Sequence, residues 1–356
     1  MYFDILKLQN ELGLSCIEDY ILYLINGDIK NKYILFYKSF VPAEKVFYEM
    51  LANNKSYSSI DFIERIQSTA KKIGMLGIDY YSGNFSELIM SDVFLMQISP
   101  DDVKKRFGVS LLRDDHYLLI RKLGGNKFEY LNDRPESTGI LSVDELERMY
   151  LGKAIIITKK NLKLNYYEKI LHAYKAIGVD YSRLEKSFPK EINIIQLRDS
   201  IGVLRIIARR MKAFWSRMFF VESIDNYIDF LDKHYLRLEY MRLRGKYDNE
   251  ELKNKIKEIS EMDQNNRKNI LERIDKYMNN LEEKIKGAIG TLIEYDGVIE
   301  NEQELRELGF DSLKNVELAM VLEEEFSVQF DDSLLQQENF RTVNRIKDLI
   351  MSCMED

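Results

Sequence analysis

The chain has 356 residues, and this length with 45% apolar residues favours a folded protein of two or three domains. Lysine and arginine number 52 and aspartate and glutamate 59, so the formal net charge is −7. We find no run of about 18 uncharged apolar residues and therefore expect no contact with a membrane interior. The acidic balance and the lack of a recognition motif argue against nucleic acid as a partner.

Cysteine usage and the N-terminus indicate the compartment. Cys16 and Cys353 are far apart in the sequence, which argues against a disulfide framework. The first seven residues lack the basic start and the apolar run of a secretory signal. We therefore expect a cytoplasmic protein, and we predict no metal site.

A cysteine stands at the predicted start of the first helix. Gly13 and Ser15 indicate a turn and a helix cap, and an apolar stripe then runs from Ile17 to Leu24. Backbone dipoles at a helix N-terminus favour a thiolate, so Cys16 is a candidate nucleophile. Two acidic residues in the first turn oppose this effect, so the thiol also needs a base.

Residues 28–160 alternate short apolar runs with turns, which indicates a sheet accompanied by a few helices. We expect strands near residues 34–37 and 92–98 and a helix over residues 58–75. His116 opens a further strand, which turns at residues 124–126 and returns to end in Asn132 and Asp133. A capped helix over 142–149 and a strand over 153–158 complete this region.

The order of cysteine, histidine and then an amide or acid is that of a papain-like site, in which the imidazole takes the thiol proton. From residue 116 to 158 the pattern resembles the bacteriocin-processing cysteine peptidases. The fuller resemblance is to the butirosin biosynthesis protein H family, which transfers an acyl group from a carrier protein to an amine. It implies Cys16 as the nucleophile, His116 as the base and Asp133 as the orienting acid, with Asn132 as the alternative. An oxyanion donor is expected six residues before the cysteine, where Asn10 stands.

The middle of the chain shows helical periodicity almost throughout. Amphipathic runs cover residues 194–220, 224–243 and 250–281, and the last is predicted to break near residues 263–266. Basic residues cluster on the first of these runs, and we interpret them as a solvated face or as a dock for an acidic helix. The cluster consists of Arg205, Arg209, Arg210, Lys212 and Arg217.

The C-terminal region contains the sequence Leu308-Gly309-Phe310-Asp311-Ser312-Leu313. Gly309 allows a tight turn, and Asp311 precedes the predicted start of a helix at Ser312. An apolar stripe along this helix runs through Leu313, Val316, Met320, Val321 and Phe326. Residues 286–356 hold 6 basic and 17 acidic residues, so we predict that Ser312 is exposed beside an acidic surface.

Residues 286–356 resemble an acyl or peptidyl carrier protein. The resemblance implies that Ser312, between Asp311 and Leu313, carries a covalent 4′-phosphopantetheine whose thiol holds an acyl group as a thioester. The partners that it implies are a phosphopantetheinyl transferase, an acyl-loading ligase or synthetase, and an amine acceptor or other biosynthetic enzymes. The alternative for Ser312 is a plain helix cap.

Together these patterns predict an α+β fold. A papain-like cysteine peptidase-type domain is expected over residues 1–160, a helical subdomain over 161–283 and a four-helix carrier bundle over 284–356, with a short joint near 279–284. The predicted function is a carrier-linked, amide-forming acyltransferase of secondary-metabolite or antibiotic biosynthesis. Two alternatives stay open, namely a cysteine peptidase or thioesterase and a non-catalytic scaffold that presents the carrier.

Overall fold

The structure is a computed structural model that describes residues 12–25, 32–55, 68, 70–71, 76–110, 116–160, 166–215 and 222–353. The α-helices in these ranges are α1 (Cys16–Leu24), α2 (Ala43–Phe47), α3 (Phe85–Leu88), α4 (Pro100–Phe107), α5 (Val143–Met149), α6 (Tyr166–Ile177), α7 (Ile194–Trp215), α8 (Glu222–Arg244), α9 (Asn249–Ile293), α10 (Ser312–Phe326) and α11 (Val343–Cys353). The strands are β1 (Leu76–Tyr81), β2 (Val93–Ile98), β3 (His116–Gly124), β4 (Lys127–Asp133), β5 (Glu136–Ser142) and β6 (Ala154–Lys159). The chain divides into two compact units, residues 1–35 with 61–163 and residues 36–60 with 164–356.

None of the described helices combines the length and the apolar character that a membrane crossing requires.

The first unit, which we call the sheet unit, is built on one antiparallel sheet with the strand order β1-β6-β2-β3-β4-β5. In its register His116 pairs with Ile98, and Leu119 pairs with Leu131. One face of the sheet forms a core with α3, α4 and α5, in which Leu118 is fully buried. Helix α1 packs against β3.

Most of the elements predicted in the sheet unit are present. Strands β2, β3, β4 and β6 and the capped helix α5, with Ser142 as its cap, confirm the predictions from periodicity. The strand predicted near residues 34–37 is wrong, because Tyr33–Lys38 forms a 3₁₀ helix whose four middle residues are buried. The sequence did not predict β5, since its polar and exposed residues lack a clear apolar alternation. Most of the helix predicted over 58–75 lies outside the described residues.

The second unit, which we call the helical unit, contains α2 and α6 to α11. Helices α7 and α8 pack against each other, and ion pairs join their facing sides. Arg205 and Arg209 both bind Asp232, and Lys212 binds Asp225 at 2.6 Å. Arg210 is fully buried. The basic cluster therefore binds α8 through three of its members, and Arg217 lies outside the described residues.

Helix α9 is continuous over 45 residues, which corresponds to a length of roughly 70 Å. The break predicted near residues 263–266 is wrong, and two of the polar residues there, Asp263 and Asn266, are buried. Asp263 accepts a hydrogen bond from the backbone N–H of Ala43 at 3.1 Å and another from Arg267 at 3.0 Å. Polarity in this stretch therefore marks a buried network and not a loop.

Arg267 holds that network together. Its guanidinium donates to both carboxylate oxygens of Glu44, at 3.1 and 3.2 Å, and to the carbonyl oxygen of Val179 at 3.1 Å. Glu44 is fully buried. Burial raises the pKa of Asp263, and the charge of Arg267 opposes that rise. Arg267 thus compensates two carboxyl groups that water does not reach.

We expect the substitution Arg267→Ala to destabilise the helical unit by about 3–5 kcal/mol, because it leaves two buried carboxyl groups without their cation. Lys268→Ala is the matched control, since Lys268 is 75% exposed and lies 3.8 Å from Glu272. That change should cost no more than about 1 kcal/mol. Urea unfolding followed by far-ultraviolet circular dichroism compares the two, and equal midpoints would contradict the assigned role.

Candidate functional site

Ser312 is the first residue of α10 and is exposed. Gly309 has a φ of 89°, which the turn before the helix requires and which glycine adopts without strain. The side chain of Asp311 caps the helix by accepting a hydrogen bond from the N–H of Lys314 at 2.9 Å. An exposed hydroxyl at a helix N-terminus fits the attachment of a phosphate-bearing arm.

The apolar stripe predicted on α10 lies on the surface. Leu313 is 68% exposed and Met320 is 65% exposed, whereas Asn315, Leu318 and Leu322 are buried. Helix α10 has apolar residues on two sides, and the side formed by residues 315, 318, 319 and 322 is the buried one. The apolar stripe that periodicity shows is therefore largely a surface feature, and a second side of the helix forms the core.

Helix α9 continues without a break into the C-terminal region that contains Ser312. No break occurs at residues 279–284, because α9 runs through to Ile293. Glu282 on α9 accepts a hydrogen bond from Asn301 at 2.8 Å and pairs with Lys347 of α11, whose side chain is almost fully buried. Helix α11 packs against both α9 and α6.

Comparisons with known proteins agree with this geometry. A family profile described as "Phosphopantetheine attachment site" matches residues 283–350. The acyl carrier protein of Buchnera aphidicola subsp. Schizaphis graminum (strain Sg) is 39% identical over 75 residues, which is 92% of that protein and 20% of this chain. The fold and the matched site define a carrier domain that binds 4′-phosphopantetheine covalently. Through this region the chain belongs to the acyl carrier protein family.

We expect Ser312→Ala to abolish phosphopantetheine attachment, because it removes the hydroxyl to which the arm is joined. Incubation with coenzyme A and a phosphopantetheinyl transferase, followed by intact-mass measurement, provides the test. Ser333→Ala is the matched control, since Ser333 is another exposed serine of the same domain and should not affect attachment. Modification of the Ser312→Ala protein would place the attachment site elsewhere.

In the sheet unit, Cys16 is the first residue of α1 and is partly exposed. Ser15 caps the helix, and Glu18 completes the cap by accepting a hydrogen bond from the Ser15 N–H at 2.8 Å. The turn and cap predicted from Gly13 and Ser15 are confirmed, with a φ of 58° at Gly13. The thiol thus lies where the helix dipole favours its ionised form.

His116 makes a short hydrogen bond, 2.6 Å from Nε2 to Oδ1 of Asn132. The amide Nδ2 of Asn132 donates to the carbonyl oxygen of Pro135 at 2.7 Å, so Oδ1 must be the atom that faces the imidazole. Since Oδ1 only accepts, Nε2 carries the proton and Nδ1 is the basic nitrogen. Of the two residues considered for orienting the imidazole, the structure therefore places Asn132 against His116.

Asp133 binds Tyr20 of α1 instead. The Asp133 N–H donates to the Tyr20 hydroxyl at 3.0 Å. That hydroxyl lies 3.3 Å from Oδ1 of Asp133 and 3.1 Å from the carbonyl oxygen of Tyr117. Tyr20 thereby fixes α1 to the start of β3 and the end of β4. This role of Tyr20 was not predicted from the sequence, although Tyr20 follows Cys16 by four residues and so shares its helix face.

The N-terminal turn of α1 lies near the end of the sheet where β3 begins and β4 ends, because Tyr20 contacts both strands there. Cys16 precedes Tyr20 by one helical turn, about 6 Å along the axis. His116 begins β3 and Asn132 is the penultimate residue of β4, so both lie at this end of the sheet. Strand alternation places them on the face opposite Tyr117 and Asp133. The His116 imidazole therefore lies on the face of the sheet opposite the one that Tyr20 contacts. The Cys16 thiol can contact the imidazole only where both side chains extend beyond the ends of the strands.

The proposed oxyanion donor, Asn10, lies outside the described residues.

Asp19 of α1 is a buried carboxyl group near the same end of the sheet. It is fully buried, and neither of its carboxyl oxygens has a hydrogen-bond partner among the residues that the structure describes. Burial, with the nearby Asp133 and Glu18, raises the pKa of Asp19 to about 8, while Arg134 opposes the rise. At neutral pH the folded protein therefore holds Asp19 mainly as the uncharged acid.

We expect the substitution Asp19→Asn to stabilise the protein at pH 8 and to have little effect at pH 4. An ordinary aspartate loses its proton near pH 4, so between pH 4 and about 8 the folded state holds a proton that the unfolded state has released. The stability of the wild type therefore falls across this window by up to about 1.4 kcal/mol per pH unit. Urea unfolding at several pH values tests this, with the exposed Asp92→Asn as control. A difference between Asp19→Asn and wild type that is independent of pH would contradict the shifted pKa.

Proposed function

We propose that this protein is a carrier-linked acyltransferase in which Cys16 takes an acyl group from the arm on Ser312 and passes it to an amine. The observation that carries the proposal is the hydrogen bond between His116 and Asn132, which leaves Nδ1 of the imidazole basic. This pair lies where β3 begins and β4 ends, near the N-terminal turn of α1. The carrier domain in the same chain supplies the means to present an acyl group.

The surroundings of Cys16 support a nucleophilic thiolate. Two carboxyl groups follow it in the first turn and would oppose its ionisation if both were charged and unbound. Glu18 is bound by the N–H and hydroxyl of Ser15, and Asp19 is mainly uncharged below pH 8. These two carboxyl groups therefore oppose the ionisation of the Cys16 thiol only weakly. The helix dipole and a basic imidazole favour the thiolate.

Phosphopantetheine supplies a thiol that holds the acyl group as a thioester. In the first step Nδ1 of His116 takes the Cys16 proton, and Sγ attacks the thioester carbonyl. The acyl carbon would form its new bond to Sγ as its bond to the thiol of the arm breaks, and the proton held by His116 would pass to that leaving thiolate. In the second step an amine attacks the acylated cysteine, the C–S bond breaks, and His116 transfers the surplus proton of the amine to Sγ.

The proposed partners follow from this sequence of steps. A phosphopantetheinyl transferase must modify Ser312, and a ligase or synthetase must load the acyl group. The product is an amide, which suits a step in the biosynthesis of a secondary metabolite. The carrier of one chain can serve Cys16 of the same chain or that of a second copy.

A single-turnover experiment tests the proposal. A phosphopantetheinyl transferase and acetyl coenzyme A are used to place an acetyl thioester on Ser312, and glucosamine is added as a primary amine. Mass spectrometry of the peptides should find the acetyl group on Cys16 before the amine is added and in an amide product afterwards. Cys16→Ala should keep the acetyl group on the arm, whereas Cys353→Ala should behave as wild type.

Two further variants separate the neighbouring residues of β4. We expect Asn132→Ala to slow the transfer by roughly 10²–10⁴-fold, because it releases the imidazole from its orienting partner. Asp133→Asn should have a smaller effect, since Asp133 contacts Tyr20 and the hydrogen bond to the imidazole comes from Asn132. Unchanged turnover in Cys16→Ala would favour a scaffold role. Release of acetate at the same rate with and without amine would instead indicate a thioesterase.

A further inference from the structure

An open cavity of about 460 Å³ lies between α1 and the strands β3, β4 and β5. Its volume is within the range of small-molecule sites. Leu119 and Leu131, which face each other in the register, contribute its apolar part, and Tyr23 of α1 contributes an aromatic wall. The face of the sheet beside α1 therefore offers a site that combines apolar and aromatic surfaces.

The charges that line the cavity favour a cation. Arg121 lies 4.8 Å from the ring centre of Tyr23 and 3.7 Å from Glu129, so its charge is already balanced. Glu136 also lines the cavity, and no hydrogen bond or ion pair of its side chain occurs in the described part of the chain. One carboxylate is thus left to bind a ligand, with the hydroxyl of Thr138 beside it on β5.

The polar groups suit an ammonium ion better than a metal ion. Within the ranges that the structure describes, no three histidine, cysteine or acidic side chains are placed to share a metal. A carboxylate and a hydroxyl are both hydrogen-bond acceptors, and a primary ammonium group has three donors. Bonds between an ammonium and a carboxylate are among the stronger hydrogen bonds in proteins.

The cavity extends toward the N-terminus of α1. Glu136 pairs in the sheet with Asp133, which contacts Tyr20, one helical turn after Cys16. Tyr23, at the other end, follows Cys16 by seven residues, about 10 Å along the helix axis. Glu136 therefore marks the end of the cavity that lies nearer to the thiol.

We propose that this cavity binds the acceptor of the transfer, a small polar molecule with a primary amino group, and that Glu136 binds its ammonium form. The inference rests on the proposed function for the identity of the ligand as acceptor. Binding itself needs neither Cys16 nor the acyl group and can be measured separately.

Isothermal titration calorimetry on the full chain at low salt and pH 7 tests the binding. Glucosamine and 1,3-diaminopropane are compared with N-acetylglucosamine and N,N′-diacetyl-1,3-diaminopropane, which keep the same skeletons without the ammonium charge. We expect at least one amine to bind more tightly than its acetylated form, and Glu136→Gln to weaken that binding roughly ten- to a hundredfold. Glu147→Gln, an exposed glutamate of α5 in the same unit, should leave it unchanged.

The outcomes distinguish this inference from the proposed function. If neither amine binds better than its acetylated form, or if Glu136→Gln binds like wild type, the cavity is not an amine site. If Cys16→Ala loses transfer but keeps amine binding, both proposals are supported. If Cys16→Ala transfers normally while Glu136→Gln loses binding, the amine site stands and the role of Cys16 fails. In the transfer assay Glu136→Gln should raise the KM for the amine and leave the acetylation rate of Cys16 unchanged.

Discussion

The geometry of the sheet unit depends on the hydroxyl group of Tyr20. This one group lies within hydrogen-bond distance of the backbone of β3, at Tyr117, and of the N–H of Asp133 at the end of β4. It thus fixes how far α1 extends past the sheet, and with it the position of Cys16 relative to the strand that begins with His116. The same contact positions Tyr23 over the sheet, where it forms one wall of the cavity. The helix that begins with Cys16, the strand that begins with His116 and the cavity between them are therefore joined through this one contact.

The helical unit holds the carrier domain through one continuous helix, α9. Helix α9 contributes both to the buried network of Arg267 and to the carrier, without an intervening flexible segment. Glu282 and the buried Lys347 join α11 to this helix. Movement of the carrier relative to the rest of its unit would therefore have to bend α9 and disrupt a partly buried ion pair. Delivery of a tethered group consequently relies on the reach of the arm or on movement of the unit as a whole.

The sequence predicted those parts of the site that local interactions determine. The caps at Ser15 and Asp311 depend on side chains only three residues from their partners, so they can be read directly from the pattern. The choice between Asn132 and Asp133 depends on which face of β4 each occupies, and the sequence of β4 alone does not determine that face. The polar stretch around Asp263 looked like a loop because its partner, Ala43, is 220 residues away. The sequence likewise does not show which side of α10 is buried, since packing by α9 selects that side.

Burial of acidic residues near Cys16 has a chemical consequence. A thiol in water ionises near pH 8.5, and Asp19 has its pKa at about 8, so the two groups would lose protons over the same range. They belong to the same helical turn, and two negative charges there repel each other. Below pH 8 the uncharged Asp19 therefore leaves the helix dipole free to favour the thiolate, whereas at higher pH the Asp19 carboxylate opposes it. A buried carboxyl group in this position thus removes a charge that an exposed aspartate would keep, and this makes an acidic first turn compatible with a nucleophilic cysteine.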